Sequence, residues 1–252
     1  MSGADLGVKE KIVFTSFSKS FAGLLVLDNL NFVVREKDFL CIVGPTGCGK
    51  TTLCNLITTL LSPTKGTVRI NGELADPRKH NIGFIFQEPS CLPWRTVWDD
   101  IKFGLEIKGY DGGEINKRVT QIIELVGLKG FESYYPSQLS GGMKQRVAIA
   151  RAFVTEPDLL LMDEPFGELD IKTRFFMMDE VLKLWQAIKA TIIYVTHNLE
   201  EAVYLGQQIM VLSQKPTRIK AMIPVKLSHP RDYTDPAFIE IRKEVTELVK
   251  WW

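Results

Sequence analysis

Along the chain, short unbroken apolar runs end at Gly, Asp or His and alternate with longer stretches of helical period. Phe39-Leu40-Cys41-Ile42-Val43 runs straight into Gly44. With no polar position inside it, the run suits a strand buried on both faces. Ile82–Phe86, Leu159–Met162 and Ile192–Thr196 repeat the pattern, and a helix is predicted from about Lys50 to Leu61. Strand and helix in alternation predict an α/β fold whose parallel sheet carries helices on its faces. Ile12–Phe14 and Leu30–Val34 predict strands of an antiparallel β flank. From about Gln87 to Thr155 helical signals dominate, which predicts an inserted helical lobe. Near the end Asp235 can cap a helix that has Pro236 at its first position. There Phe238, Ile241, Val245, Leu248 and Trp252 share one stripe. The expected organisation is a single domain over 1–252. Its core covers about 1–86 and 156–225, its helical lobe about 87–155, and its helical tail 226–252.

Composition narrows the classes open to such a fold. The 252 residues are 45% apolar and 24% charged, ordinary values for a globular chain able to bury a full core. Lys and Arg total 31 against 30 Asp and Glu. That balance provides no basic footprint for nucleic acid, and no nucleic-acid partner is expected. Cys41, Cys48, Cys54 and Cys91 lack the paired C-x-x-C spacing of a zinc site, and their sparseness suits a reducing compartment. The opening MSGADLGVKEK lacks an apolar segment of the signal-peptide kind, so none is expected. The longest apolar runs fall far below the ~20 residues that span a bilayer. If the chain serves transport, another chain must form the pathway.

Chemistry enters at Gly44-Pro45-Thr46-Gly47-Cys48-Gly49-Lys50-Thr51, which fits G-x-x-x-x-G-K-[ST] between a predicted strand and a predicted helix. Glycines let successive N–H groups curl toward phosphate oxygens, and the helix adds its positive end. Lys50 is placed to reach the β- and γ-phosphates and Thr51 to ligate Mg²⁺. Thr52 extends the phosphate-binding stretch. Cys48, at the mouth of that helix, is expected to be an activated thiol that nucleotide would protect. Leu159-Leu160-Leu161-Met162 ends in Asp163-Glu164. Asp163 at the carboxyl end of a buried strand can hold Mg²⁺. Glu164, one residue on, can deprotonate a water for attack on the γ-phosphate. These two motifs together indicate a P-loop NTPase, a class that includes kinases, helicases and switches.

Leu139-Ser140-Gly141-Gly142-Met143-Lys144-Gln145-Arg146 narrows the class, because it resembles the signature of ATP-binding-cassette transporter ATPases. The resemblance covers roughly residues 10–225. Ser140 can cap a helix whose N–H groups and dipole suit a phosphate. Further family marks occur in order. Gln87, in Ile85-Phe86-Gln87-Glu88-Pro89, resembles the glutamine that contacts Mg²⁺ and water at the lobe junction. Asp170 matches the loop after the acidic strand. His197, in Val195-Thr196-His197-Asn198, matches the switch histidine at the γ-phosphate. Phe21 sits where the family places an aromatic on adenine. Asn198 and Glu201 are expected to form a capping pair. The resemblance implies a head-to-tail dimer in which Ser140, Gly141 and Gly142 serve a nucleotide bound to the other cassette. Hydrolysis at Glu164 and His197 would reopen that dimer and drive an integral-membrane permease. The chain would then be peripheral to the cytoplasmic face of the cell membrane. Glu168, where the family usually has a small residue, and Gln207-Gln208, in place of an Asp-Arg pair, depart from the pattern without removing a catalytic group.

Pro93-Trp94-Arg95-Thr96-Val97-Trp98-Asp99-Asp100-Ile101 and Phe103-Gly104-Leu105-Glu106 resemble the nitrate/sulfonate/taurine importer branch. So does the tail His229-Pro230-Arg231-Asp232-Tyr233 with Asp235-Pro236-Ala237-Phe238. This resemblance implies a small solute delivered by a solute-binding protein, an anion such as nitrate, an alkanesulfonate, taurine or bicarbonate, with pyrimidine precursors of thiamine also open, and makes Trp94 a candidate permease contact. Exporter or lipid-side ATPases, and soluble cassettes acting on ribosomes or DNA, are the alternative readings.

Overall fold

A computed structural model describes residues 9–167 and 169–250. Glu168 and Trp252, both singled out above, lie outside the described residues. The first half of the chain runs β1 (Glu10–Phe21), β2 (Leu24–Arg35), β3 (Phe39–Val43), α1 (Lys50–Ile57), β4 (Lys65–Ile70), β5 (Glu73–Leu74), β6 (Ile82–Ile85), α2 (Val97–Ile107) and α3 (Gly112–Leu125). The second half runs α4 (Gly141–Phe153), β7 (Leu159–Asp163), α5 (Ile171–Ile188), β8 (Thr191–Val195), α6 (Leu199–Leu205), β9 (Gln208–Leu212), β10 (Ile219–Pro224) and α7 (Pro236–Val249). The fold is of the α/β class with an antiparallel flank. Two compact units divide the chain, one running up to Ile82 and resuming at Ala190, the other Gly83–Lys189.

In the first unit the flank is a sheet in the order β2-β1-β4-β5, antiparallel throughout. Burial alternates along β2 from Asn29 to Arg35, with Leu30, Phe32 and Val34 inward, so one face packs and the other meets water. Phe14 of β1 stacks on Phe32 with centroids 4.0 Å apart. The second sheet of this unit orders β10-β9-β3-β8, with β3 parallel to both neighbours. All residues of β3 and β8 are buried, as their unbroken apolar runs require. α1 stops at Ile57, short of the expected Leu61. Thr59 adopts a positive φ of 60° and Leu60 is exposed, so neither the backbone nor a buried face carries the helix further.

The tail is tied to this unit by one buried cation. Arg231 donates to the carbonyls of Tyr204 (3.1 Å), Gly206 (2.7 Å) and Leu227 (2.9 Å), and also to that of Val203. It thereby satisfies the orphan carbonyls at the end of α6. Burial pulls its pKa down to about 10, which leaves it charged at neutral pH. Tyr233 stacks on Tyr204 at 4.8 Å, and Asp235 caps α7 as its sequence predicted. Of the α7 stripe, Phe238 and Val245 are buried.

In the second unit β6 lies beside β7, and a Cβ on Gly83 would stand 2.8 Å from Leu160 Cδ1. The four helices α2–α5 start on side-chain caps at Thr96, Asp111, Ser140 and Asp170. α2 and α4 pack closely, and Gly104 leaves no room for a Cβ against Thr155, at 2.7 Å. Among the described residues no helix is long and apolar enough to cross a membrane.

Replacing Arg231 by Met should strand several buried carbonyls, at a cost of about 2–3 kcal/mol. Thermal unfolding of the variant should show a midpoint roughly 5–10 °C lower. An unchanged midpoint would show that the tail is held by its apolar contacts alone.

Candidate functional site

The phosphate-loop sequence forms the turn it predicted. β3 delivers Gly44, and the loop closes onto α1 through Gly47 (φ 74°) and Gly49 (φ 111°). Gly49 is required twice over, by its left-handed backbone and by space, since a Cβ would meet Val26 Cγ1 at 2.9 Å. α1 starts at Gly49 with no side-chain cap, whereas α2–α6 are each capped by a side chain. A phosphate oxygen can take that place. Lys50 is 5% exposed, and its Nζ donates to Gly44 O (3.0 Å) and Pro45 O (3.1 Å) inside the loop. Thr51 is exposed on the first turn of α1, and Thr52 is half-buried. Outside the loop lies a cleft of about 460 Å³ lined by Pro45, Thr46, Gly47, Cys48, Gln214 and Lys215.

His197 leaves the same sheet edge. Ile42 and Val195 are partners in the parallel pair β3–β8, and Thr196 N donates to Ile42 O at 3.2 Å. The phosphate loop and the histidine loop therefore emerge side by side at the carboxyl ends of adjacent strands, where ligands gather in α/β sheets. His197 itself is exposed. Its loop is fixed by the Glu201 carboxylate, which the sequence places in a capping pair with Asn198. Asn198 does cap α6, accepting from Glu200 N (2.9 Å) and Glu201 N (3.3 Å). Glu201 instead turns inward, and its Oε2 accepts from Tyr194 OH and Thr196 Oγ1, each at 2.7 Å. The Asn198 N–H goes to Thr196 Oγ1 (3.0 Å). Phe21 ends β1 and is 40% exposed, with the Lys19 ammonium 4.7 Å from its ring centroid.

Within the second unit, Asp163 ends the fully buried strand β7 and is itself buried. Glu164 follows in a left-handed conformation (φ 46°), half-buried, and its carbonyl accepts from Gly167 N at 3.1 Å. Gln87 is exposed two residues beyond β6. Ser140 Oγ accepts from Met143 N (3.3 Å), and Ser140 and Gly141 are exposed at the open end of α4. A Cβ on Gly142 would touch Thr173 and Leu169, at 3.4 and 3.7 Å. Asp170 caps α5 through Thr173 N (3.0 Å), and its hydrogen bonds to Thr173 hold its carboxyl below the usual range. The signature turn and the Asp170 loop are thus brought together. Trp94 is 72% exposed, which removes a core role for it.

Cys48 differs from its sequence expectation in two ways. Cys48 is not an activated thiol: it is 2% exposed, and burial pushes its pKa up against the opposing pull of Lys50. Its carbonyl accepts from the buried Thr217 Oγ1, a contact 169 positions away in sequence that no local pattern announces.

Comparison with known proteins agrees with this geometry. The family profile described as ABC transporter matches residues 27–167. An uncharacterised ABC transporter ATP-binding protein of Methanocaldococcus jannaschii is 46% identical over 224 residues, 89% of this chain and 84% of its own length. The aliphatic sulfonates import ATP-binding protein SsuB of Bacillus cereus is 42% identical over 235 residues, 93% of this chain and 92% of its own. Among solved structures, a dimeric ATP-binding cassette in a post-hydrolysis state bound to ADP and Pi superposes with a TM-score of 0.77 at 30% identity. It covers 86% of this chain and all of the other.

The burial of Cys48 makes its thiol slow. In native protein at neutral pH, alkylation should modify Cys48 at least ~10-fold more slowly than a free cysteine, because little thiolate exists. Peptide mapping before and after denaturation measures this. Rapid native labelling would show that the loop opens far more often than its packing implies.

Proposed function

The chain belongs to the ABC transporter family as an ATP-binding and ATP-hydrolysing import subunit, and on that premise we propose how its residues divide the work. The observation that carries the reading is the pairing of a complete phosphate loop with the signature helix, in a chain 42% identical over nearly all its length to a sulfonate-import ATPase. The protein acts with a partner cassette and a membrane permease and is membrane-associated. We place it on the cytoplasmic face, served by an extracytoplasmic solute-binding protein.

In this reading Gly44–Thr52 cradle the triphosphate, with Lys50 leaving its loop carbonyls to reach the β- and γ-phosphates. Adenine stacks on Phe21, on the ring face opposite the Lys19 ammonium. Thr51, Gln87 and Asp163 offer oxygen donors only, a set that fits Mg²⁺ completed by water and phosphate. When bound, that ion supplies charge neutralisation on the β- and γ-phosphates. Glu164 takes a proton from the attacking water, whose oxygen bonds to the γ-phosphorus as the bond to ADP breaks. His197, on a loop held by Thr196 and Glu201, donates to the γ-phosphate. Ser140, Gly141 and Gly142 close on the nucleotide of the partner cassette, and Asp170 lines the same seam. Residues 87–155 act as the lobe that meets the permease, with the exposed Trp94 at the contact. The solute is a small anion, and aliphatic sulfonates are the first candidate.

Glu164→Gln keeps the shape and removes the base. It should retain ATP binding while turnover falls by a factor on the order of 10²–10⁴. Hydrolysis near the wild-type rate would remove Glu164 from the role. The solute is tested in cells lacking this subunit, grown with an alkanesulfonate as the sole sulfur source. The wild-type gene should restore growth and the Glu164→Gln gene should not. Wild-type growth without the subunit would exclude sulfonate as the cargo.

A further inference from the structure

Between Gln87 and α2 the chain crosses three residues that are each bonded to a different anchor. Arg151, in the last turn of α4, donates through Nη1 to Ser90 O (2.7 Å) and through Nη2 to Ser90 Oγ (2.7 Å). The Cys91 thiol donates to Lys144 O of α4 at 3.4 Å. Leu92 N donates to Asp100 Oδ2 at 2.9 Å. Asp100 and Arg151 close the circuit with an ion pair of 2.8 Å, in which Asp100 is fully buried. The guanidinium fork thus serves one backbone carbonyl, one hydroxyl and one carboxylate together, a task its rigid geometry suits and a lysine's point charge does not. Lys144 and Arg151 are seven residues apart, so the segment is fastened at two points roughly 10 Å apart along the helix axis.

The placement of this splint gives it a use. Two residues past Leu92 stands Trp94, 72% exposed. At the far end of α4 stands Ser140, which caps the helix and is also exposed. α4 has an unbroken core of buried side chains between these ends, from Val147 to Ala150 with Ala152 and Phe153. A displacement of the Trp94 segment therefore carries α4 with it. Without the splint the loop could flex and leave the helix where it was.

We propose that Arg151 and Asp100 are positioning residues that fasten the Ser90–Trp94 segment to the signature helix, so that permease motion at Trp94 becomes motion of Ser140. This rests on the reading that Trp94 faces the permease and Ser140 the partner's nucleotide. Neither residue touches ATP, so their loss should uncouple the two partners and spare the chemistry.

The measurement is the ratio of ATPase rates, subunit assembled with its permease in proteoliposomes over subunit alone, read beside melting temperature and the KM for ATP. Asp100→Leu with Arg151→Met replaces a buried ion pair by apolar bulk, a change such sites often tolerate. The double variant should melt within a few degrees of wild type, keep its basal rate and KM, and lose roughly 3- to 30-fold in the ratio. A stable double variant with a wild-type ratio would overturn the proposal. Should the double variant unfold, Arg151→Lys carries the test, since it keeps the charge and loses the fork. The same loss of ratio is expected there, and a wild-type ratio overturns the proposal. A purely structural role would lower melting temperature and both rates together, leaving the ratio unchanged, and that result also overturns it. Trp94→Ala separates the underlying reading: reduced permease binding supports it, and undiminished binding refutes the docking assignment whatever the splint variants do.

Discussion

A phosphate loop must present successive N–H groups inward, and an L-residue backbone resists the curvature this needs. In this chain the curvature is held from outside as well as permitted from within. Gly49 adopts φ 111° with Val26 and Leu27 pressed against the place a side chain would occupy. Gly44 sits with Leu212 Cβ 3.0 Å from its missing Cβ. The Cys48 carbonyl is engaged by Thr217 from the end of the β9–β10 return. Thr217 is in turn fixed on both backbone sides, N to Val26 O (2.9 Å) and O to Asp28 N (3.0 Å). The antiparallel flank thereby shapes the phosphate loop: β2 wedges it, and its bonds to Thr217 fix the residue that holds Cys48. Burial of Cys48 follows from the same packing, and so does its elevated pKa.

The second dependence runs through α6. His197 can serve a phosphate only if its exposed side chain sits on a fixed backbone, and that backbone is fixed by buried polar groups. Glu201 gathers two hydroxyls from Tyr194 and Thr196, so the end of β8, the residue after it and the first turn of α6 share one carboxylate. The other end of α6 is closed by Arg231, whose donors meet the carbonyls that the short helix leaves open. A helix of seven residues has little stability of its own. It stays in place because a carboxylate secures one end and a guanidinium the other, and the tail that carries Arg231 is bound into the site's foundation.

How much of this could be read from sequence depended on whether the cause was local. β3, β7 and β8 were legible because a strand buried on both faces needs an unbroken apolar run. The turn of the phosphate loop was legible because Gly47 and Gly49 fall where the backbone must turn left-handed, all within eight positions. The Ser140 and Asp235 caps were legible because capping acts over three residues. α1 was overestimated, since its apolar period continues past Ile57 while the backbone at Thr59 turns left-handed. Glu201 was misassigned because a Glu three residues after a cap fits a capping box equally well until Thr196 is seen to take the Asn198 N–H. Thr217 and Arg151 gave no signal at all, and Asp100 stood out only as one position of a family pattern, with no role attached. Each acts on a partner dozens of positions away, and a lone threonine or a helical Asp looks the same whether buried or solvated.

The two ends of α4 serve two different partners. Burying Asp100 is costly, and a buried ion pair adds little net stability over an apolar pair of the same volume. Its presence therefore calls for a reason other than holding the lobe together. Fastening supplies one, because an apolar pair would pack α2 on α4 equally well yet could not grip the backbone of Ser90 and Leu92. The phosphate loop in the first unit needs its backbone immobile so that the ligand meets fixed dipoles. The Ser90–Trp94 segment needs a different rigidity, immobile relative to α4 but free to travel with it. Hydrogen bonds to main-chain atoms from side chains on α2 and α4 produce that condition, and the signature residues at the open end of α4 then move as the segment moves.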